Sequence, residues 1–170
     1  SSVIIWTTTP WTIPVNRALA YNSKIKYSVI KIGQNTEHFQ NKNIVIASEL
    51  INKVLEECNF KDFEVLKEFA GNDLKNVICS HPFKNIGYDY DVPMLEGNFV
   101  TLEQGTGIVH AAPSHGPDDF NLCLKNGIKA TNTMNDSGIY SDEVPFFSGT
   151  HIFTADNQVV EKLLEHKSLL

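Results

Sequence analysis

Hydrophobic positions in this chain fall in short, separated clusters, and most clusters carry the β-branched and aromatic residues of strands. Val3-Ile4-Ile5-Trp6 predicts a first strand, begun so abruptly that the chain reads as a piece of something longer. Ala18–Tyr21 predicts a second strand and residues 25–32 a third, in which Ile25, Tyr27 and Val29 alternate with Lys24, Lys26 and Ser28 before the inward pattern loosens. Asn43–Ala47 is a short buried run. Leu50, Ile51, Val54 and Leu55 then switch to i, i+4 spacing, which predicts a helix over 49–58 with Ser48 as its N-cap. Residues 63–69 and 77–79 predict further strands around a turn or short helix at 71–76. His81-Pro82-Phe83 leads through a polar loop to Val92-Pro93-Met94-Leu95 and then to 98–102; His81, placed before a proline, reads as structural. Ile108 and Val109 predict another strand, and Pro117 starts a helix that Gly127 ends. Residues 132–141, rich in Asn, Asp, Ser and Gly, predict a mobile loop. Phe146, Phe147, Ile152 and Phe153 suggest one late strand. Val159, Val160, Leu163 and Leu164 mark a final helix capped near Thr154 or Asp156. The expected fold is therefore a β-rich α+β domain, with a bent or barrel-like sheet and about three short helices.

Composition narrows the function classes. A length of 170 residues fits one domain, spanning 1–170, with a real core. A net charge of −6 and the single arginine, Arg17, argue against broad adhesion to nucleic acid or anionic membranes. Three cysteines at wide spacing, Cys58, Cys79 and Cys123, point to reduced thiols and a cytoplasmic setting. No apolar run approaches the ~18 residues of a membrane helix, so no membrane partner is expected.

Two stretches concentrate polar chemistry. Thr7-Thr8-Thr9-Pro10-Trp11-Thr12-Ile13-Pro14-Val15-Asn16-Arg17 reads as a largely extended loop, because two prolines four apart remove ladder donors while four hydroxyls project from it. Gly105-Thr106-Gly107-Ile108-Val109-His110-Ala111-Ala112-Pro113-Ser114-His115-Gly116-Pro117-Asp118-Asp119 puts two histidines and two adjacent carboxylates at a strand–turn–helix reversal. Its first glycines lack the pattern of a dinucleotide or P-loop cradle. His110, His115 and an aspartate could in principle ligate a divalent metal, although no usual ligand spacing is met. Each residue also has a plain reading: His110 as a structural hydrogen-bonding ring, Asp118 and Asp119 as helix-start carboxylates.

These same two stretches resemble the signature segments of the editing domain of isoleucyl-tRNA synthetase, the connective-peptide-1 insertion of that class I enzyme, and the resemblance runs over essentially the whole chain. The W-T-T-T-P-W-T form is specific: the valine and leucine enzymes carry arginine at the position of Thr9 and a different residue at that of His110. Ser114 departs from the glycine of many bacterial members and should alter the turn only slightly. Neither H-I-G-H nor K-M-S-K-S of the aminoacylation core is present, so amino-acid activation is not expected, and ATP or zinc would belong to other parts of a parent enzyme. The resemblance implies hydrolysis of valine wrongly attached to tRNA(Ile), presented at the tRNA 3′ end, with no cofactor in this domain and with the rest of the synthetase as covalent partner. Isoleucine against valine is the worked case behind the general limit that one methylene yields only about 1–3 kcal/mol of discrimination, so a second, hydrolytic site is needed. On this reading Asp119 holds the α-ammonium. His110 forms pocket wall and orients the substrate, Thr7, Thr8, Thr9 and Thr12 line the pocket, bind ester and adenosine and hold water, and Asn16 binds through its amide. Thr9, His110 and Asp119 are the expected catalytic set, with direct attack by water. The rivals are a non-catalytic module binding the tRNA 3′ end and a metal-dependent hydrolase using His110, His115 and Asp119.

Overall fold

Two four-stranded sheets, rather than one bent sheet or a closed barrel, carry the fold. The structure is a computed structural model and describes residues 1–33 and 42–170. The first sheet takes β1 (Ser2–Val3), β4 (Asn43–Ala47), β3 (Lys26–Ile32) and β5 (Phe63–Ala70) in that spatial order. The second takes β6 (Ile78–Ser80), β7 (Asp91–Glu96), β2 (Ala18–Tyr21) and β8 (Val109–Ala111). Both are mixed: β1 runs parallel to β4 and β2 parallel to β7, while the other neighbours are antiparallel. Three α-helices, α1 (Ile51–Glu57), α2 (Pro117–Lys125) and α3 (Ile152–Glu165), complete the described residues together with three 3-10 turns. The α+β, β-rich class expected from the pattern is what forms.

The loosening of the inward pattern in β3 has a local cause. A bulge between Val29 and Ile30 shifts the register against β5, so the buried set passes from Tyr27 to Ile30 and Ile32. Strand β2 is buried along its length and holds the second sheet together. Its Ala18 and Ala20, with Ala111 of β8, give α2 a shallow surface on which Leu122 and Cys123 pack. The alternate face carries Leu19 opposite His110. Period-two alternation thus separates a helix-covered face from the face that bears His110.

Several expectations are corrected. The first strand stops at Val3, because the Ile4 carbonyl is taken by the Thr106 hydroxyl at 2.6 Å. Residues 7–17 are not extended throughout: Pro10–Val15 forms a 3-10 turn, for which the fixed φ of Pro10 at the first position is preorganised. Ser48 does not cap α1; its hydroxyl meets that of Ser28, and a 3-10 turn, Ser48–Leu50, leads into the helix. Residues 132–141 carry local hydrogen bonds, with the Asn135 carboxamide oxygen accepting from the Ser137 and Ile139 amides and Met134 bridging Tyr140. No late strand forms at 146–153, where Phe146 takes a positive φ of 64° and α3 begins at Ile152. That helix is capped by the His151 ring, which accepts from the Phe153 amide, and not by Thr154 or Asp156.

Candidate functional site

The segment from Trp11 to Arg17 and the segment from His110 to His115 meet over four contacts. His110 Nε2 lies 2.9 Å from the Thr12 hydroxyl, and its Nδ1 lies 3.2 Å from Asn16 Nδ2. The Arg17 amide donates to the Ala111 carbonyl at 2.9 Å, and the Trp11 ring stands edge-on to that of His115 with centroids 5.1 Å apart. The two polar stretches of the sequence therefore form one structure.

The hydrogen bonds assign the proton on His110. Asn16 Nδ2 also donates to the Ala18 carbonyl at 2.9 Å, so it is a donor and His110 Nδ1 must accept from it. The proton then sits on Nε2 and is donated to Thr12 Oγ1, whose own hydrogen goes to the Thr9 carbonyl at 2.8 Å. Burial leaves the ring 8 % exposed and pushes its pKa down to about 4. His110 is thus a neutral ring with both nitrogens engaged. The same bonds occupy the Thr12 hydroxyl and the Asn16 amide nitrogen, so these two side chains hold His110.

Thr7, Thr8 and Thr9 are placed differently. The Thr7 hydroxyl accepts from the Thr9 amide at 3.0 Å and pairs with the Thr9 hydroxyl at 3.2 Å, on a surface where Thr9 is exposed. Thr8 is exposed and makes no hydrogen bond among the described residues. A cavity of about 1030 Å³ opens between the sheets, and Thr7, Asn16, His81, Thr106 and His110 contribute to its lining. Thr8, Thr9, Thr12 and Asp119 lie outside its walls.

Asp119 belongs to the first turn of α2 but does not cap it; the N-cap position is Gly116, without a side-chain bond. One carboxylate oxygen, Oδ2, accepts from the Ala112 amide at 2.9 Å and so ties the helix start to the end of β8. Oδ1 makes no hydrogen bond among the described residues. Burial raises the Asp119 pKa, against the lowering by the Ala112 amide, and the Asp118 charge adds to the rise. No direct bond joins Asp119 to His110. His115 turns to Thr133, 2.9 Å from its hydroxyl, so His110, His115 and Asp119 do not converge on one point. Among the described residues no group of three His, Cys, Asp or Glu could hold a metal ion.

Four supports of the turn carry no local signal in the sequence. Asp156 of α3 accepts from the Trp11 amide at 2.8 Å, and the Tyr140 hydroxyl donates to the Trp11 carbonyl. His81 Nε2 donates to the Ile13 carbonyl at 3.0 Å, and the Tyr90 hydroxyl donates to the Asn16 carbonyl at 2.7 Å. His81 is 2 % exposed, with its pKa down to about 4 through burial. These residues lie 68 to 145 positions from the groups they hold, and no local pattern announces such pairings.

Known proteins resemble the chain as a whole. An isoleucine--tRNA ligase of Pelagibacter ubique is 58 % identical over all 170 residues of the chain, which span 19 % of that protein. The chain is homologous, end to end, to one segment of the isoleucine--tRNA ligases. The Gluconobacter oxydans isoleucine--tRNA ligase is 43 % identical over 96 % of the chain and 17 % of its own length. The chain thus spans about a fifth of the relatives it matches. No protein-family model matches it. Among solved structures, the crystal structure of GlLeuRS-CP1 superposes with a TM-score of 0.75 at 14 % identity, covering 99 % of this chain and 82 % of that one. The P. knowlesi cytosolic leucyl-tRNA synthetase editing domain gives 0.73 at 11 %, covering 98 % and 82 %. At such identities the likeness establishes the fold alone, that of a synthetase editing domain. No described helix is long and apolar enough to cross a membrane.

Proposed function

We propose that this domain hydrolyses the ester of valyl-tRNA(Ile), working in the cytoplasm as the editing part of an isoleucine--tRNA ligase and receiving the tRNA 3′ end. The observation that carries the reading is the junction of the turn that follows the threonine run with His110, on the strand end whose Ala112 amide Asp119 binds, within a chain homologous over its whole length to one segment of those ligases. Water adds to the ester carbonyl carbon, the bond to the ribose oxygen breaks, and that oxygen leaves with a proton. Asp119 Oδ1 receives the α-ammonium, whose positive charge draws the carboxyl pKa back down. The exposed Thr7–Thr9 hydroxyl pair binds the ester and holds water. His110 does not serve as the base, because its Nδ1 lone pair and its Nε2 proton are already engaged. Instead it forms a fixed wall against the larger isoleucine side chain. No cofactor is needed for this chemistry.

The test compares deacylation of valyl-tRNA(Ile) and isoleucyl-tRNA(Ile) by the chain. We expect the valyl ester to be hydrolysed preferentially but slowly, since a charge of −6 gives little long-range attraction to tRNA. Equal rates would overturn the reading. Absence of hydrolysis with tight tRNA binding would favour a binding module, and loss of activity on chelation would favour a metal hydrolase.

A further inference from the structure

The turn Pro10–Val15 has an unusual cap. Its N-cap residue is a threonine, Thr9, and threonine at this position ordinarily turns its hydroxyl back onto an amide of the first turn. Here the Thr9 side chain makes no such bond, and its hydroxyl is paired with that of Thr7 instead. Pro10 has no N–H, and the Thr12 amide already reaches the Thr9 carbonyl. The remaining early donor, the Trp11 amide, is taken by Asp156 Oδ1 at 2.8 Å, from a helix 145 residues further along the chain. On the far side of the same residue Tyr140 donates to the Trp11 carbonyl, with burial and then the Asp156 charge keeping that phenol protonated.

We propose that Asp156 caps the 10–15 turn in trans and thereby leaves the Thr9 hydroxyl available to the substrate. Asp156 is a positioning residue for the deacylation proposed above, and the inference rests on that reading. Without its carboxylate, the unpaired Trp11 amide competes for the Thr9 hydroxyl, and the Thr7–Thr9 pair is broken.

The experiment is a double-mutant cycle on valyl-tRNA(Ile) deacylation with Asp156→Ala, Thr9→Ala and the pair. Asp156→Ala should lower kcat about tenfold with little change in KM, Asp156→Asn should restore most of it because an amide oxygen still accepts, and Asp156→Ala should cost little once Thr9 is already Ala. Independent, additive losses would overturn the proposal, as would failure of Asp156→Asn to rescue a folded protein. A second readout needs no activity: the Trp11 amide should be protected from hydrogen exchange in the parent and in Asp156→Asn, and should exchange about tenfold faster or more in Asp156→Ala. Equal protection in all three would refute the trans cap, whereas an inactive parent with the expected exchange pattern would refute only the deacylase reading.

Discussion

At the scale of single residues, the site separates groups that support from groups left open to a ligand. The His110 ring nitrogens, the Thr12 hydroxyl and the Asn16 amide nitrogen are all engaged, whereas Asp119 keeps one oxygen and Thr8 its hydroxyl without a partner among the described residues. Replacing His110 with Ala removes the wall and also leaves the Asn16 amide without one acceptor. We expect the His110→Ala variant to hydrolyse the isoleucyl ester faster relative to the valyl ester than the parent does; an unchanged ratio would return the ring to a purely structural role. Asp119 supports a sharper contrast. A charge-assisted contact to an ammonium is worth on the order of 1.5–3 kcal/mol, so Asp119→Ala should lose at least about tenfold in deacylation. Removing the Oδ2 bond to Ala112 should lower stability by only about 1 kcal/mol. The exposed neighbour Asp118 shares the helix start and has no such bond, so Asp118→Ala should leave the rate within about twofold. Equal losses at the two positions, measured on protein of equal melting temperature, would defeat the assignment.

At the scale of elements, what the sequence disclosed and what it hid have different physical origins. Asn43–Ala47 and Ala18–Tyr21 form as read, and α2 lies within a residue of its expected bounds, because Pro117 and Gly127 are local signals. The turn at 10–15 departs from the extended expectation because Pro10, a strand breaker, is also a good first residue of a helical turn. Its clamps, Asp156, Tyr140, Tyr90 and His81, come from distant parts of the chain and became visible only once the elements had packed. Nor could period two alone reveal that the strands divide into two sheets. The glycines of residues 105–107 show a further difference that only the fold exposes. Both have positive φ, 75° at Gly105 and 74° at Gly107. A Cβ on Gly107 would fall 2.4 Å from the Ala47 Cβ, whereas on Gly105 the nearest atom is 3.6 Å away. Left-handed strain costs about 1 kcal/mol at either position, and overpacking adds about 1–3 kcal/mol at Gly107 alone. Thermal melts of Gly105→Ala and Gly107→Ala should therefore differ, with Gly107→Ala several degrees less stable; equal melting temperatures would contradict the close approach to β4.

At the scale of the whole molecule, the turn is built into the core that α3 closes: Ile13 and Val15 pack with Phe83, Tyr88, Phe147, Ala155 and Val159. Two histidines, His81 and His110, are buried where this core meets the second sheet, and each holds the turn while neutral. That arrangement links the site to global stability through pH. Both rings have pKa values lowered from 6.5 to about 4, chiefly by burial, and the unfolded chain would protonate them near 6.5. The unfolded state therefore binds protons first as pH falls, so the stability these rings contribute is complete above about pH 6.5 and is lost progressively towards about pH 4. At about 1.4 kcal/mol per unit, each ring accounts for a few kcal/mol at most. Asp119 acts in the opposite direction, because burial raises its pKa and protonation at low pH relieves the cost of its charge. Over about pH 6.5 to pH 5 the two buried rings, joined by His115, whose pKa burial also lowers, outnumber this one opposing carboxyl. We expect the urea midpoint of the parent to fall steadily over that interval. In His81→Gln, which lacks one titrating ring while an amide can still donate to the Ile13 carbonyl, the fall should be shallower, whatever the absolute stability of the variant. A parent midpoint that stays flat from about pH 7 to pH 5, or slopes that coincide in the two proteins, would show that these rings are not held neutral by the fold.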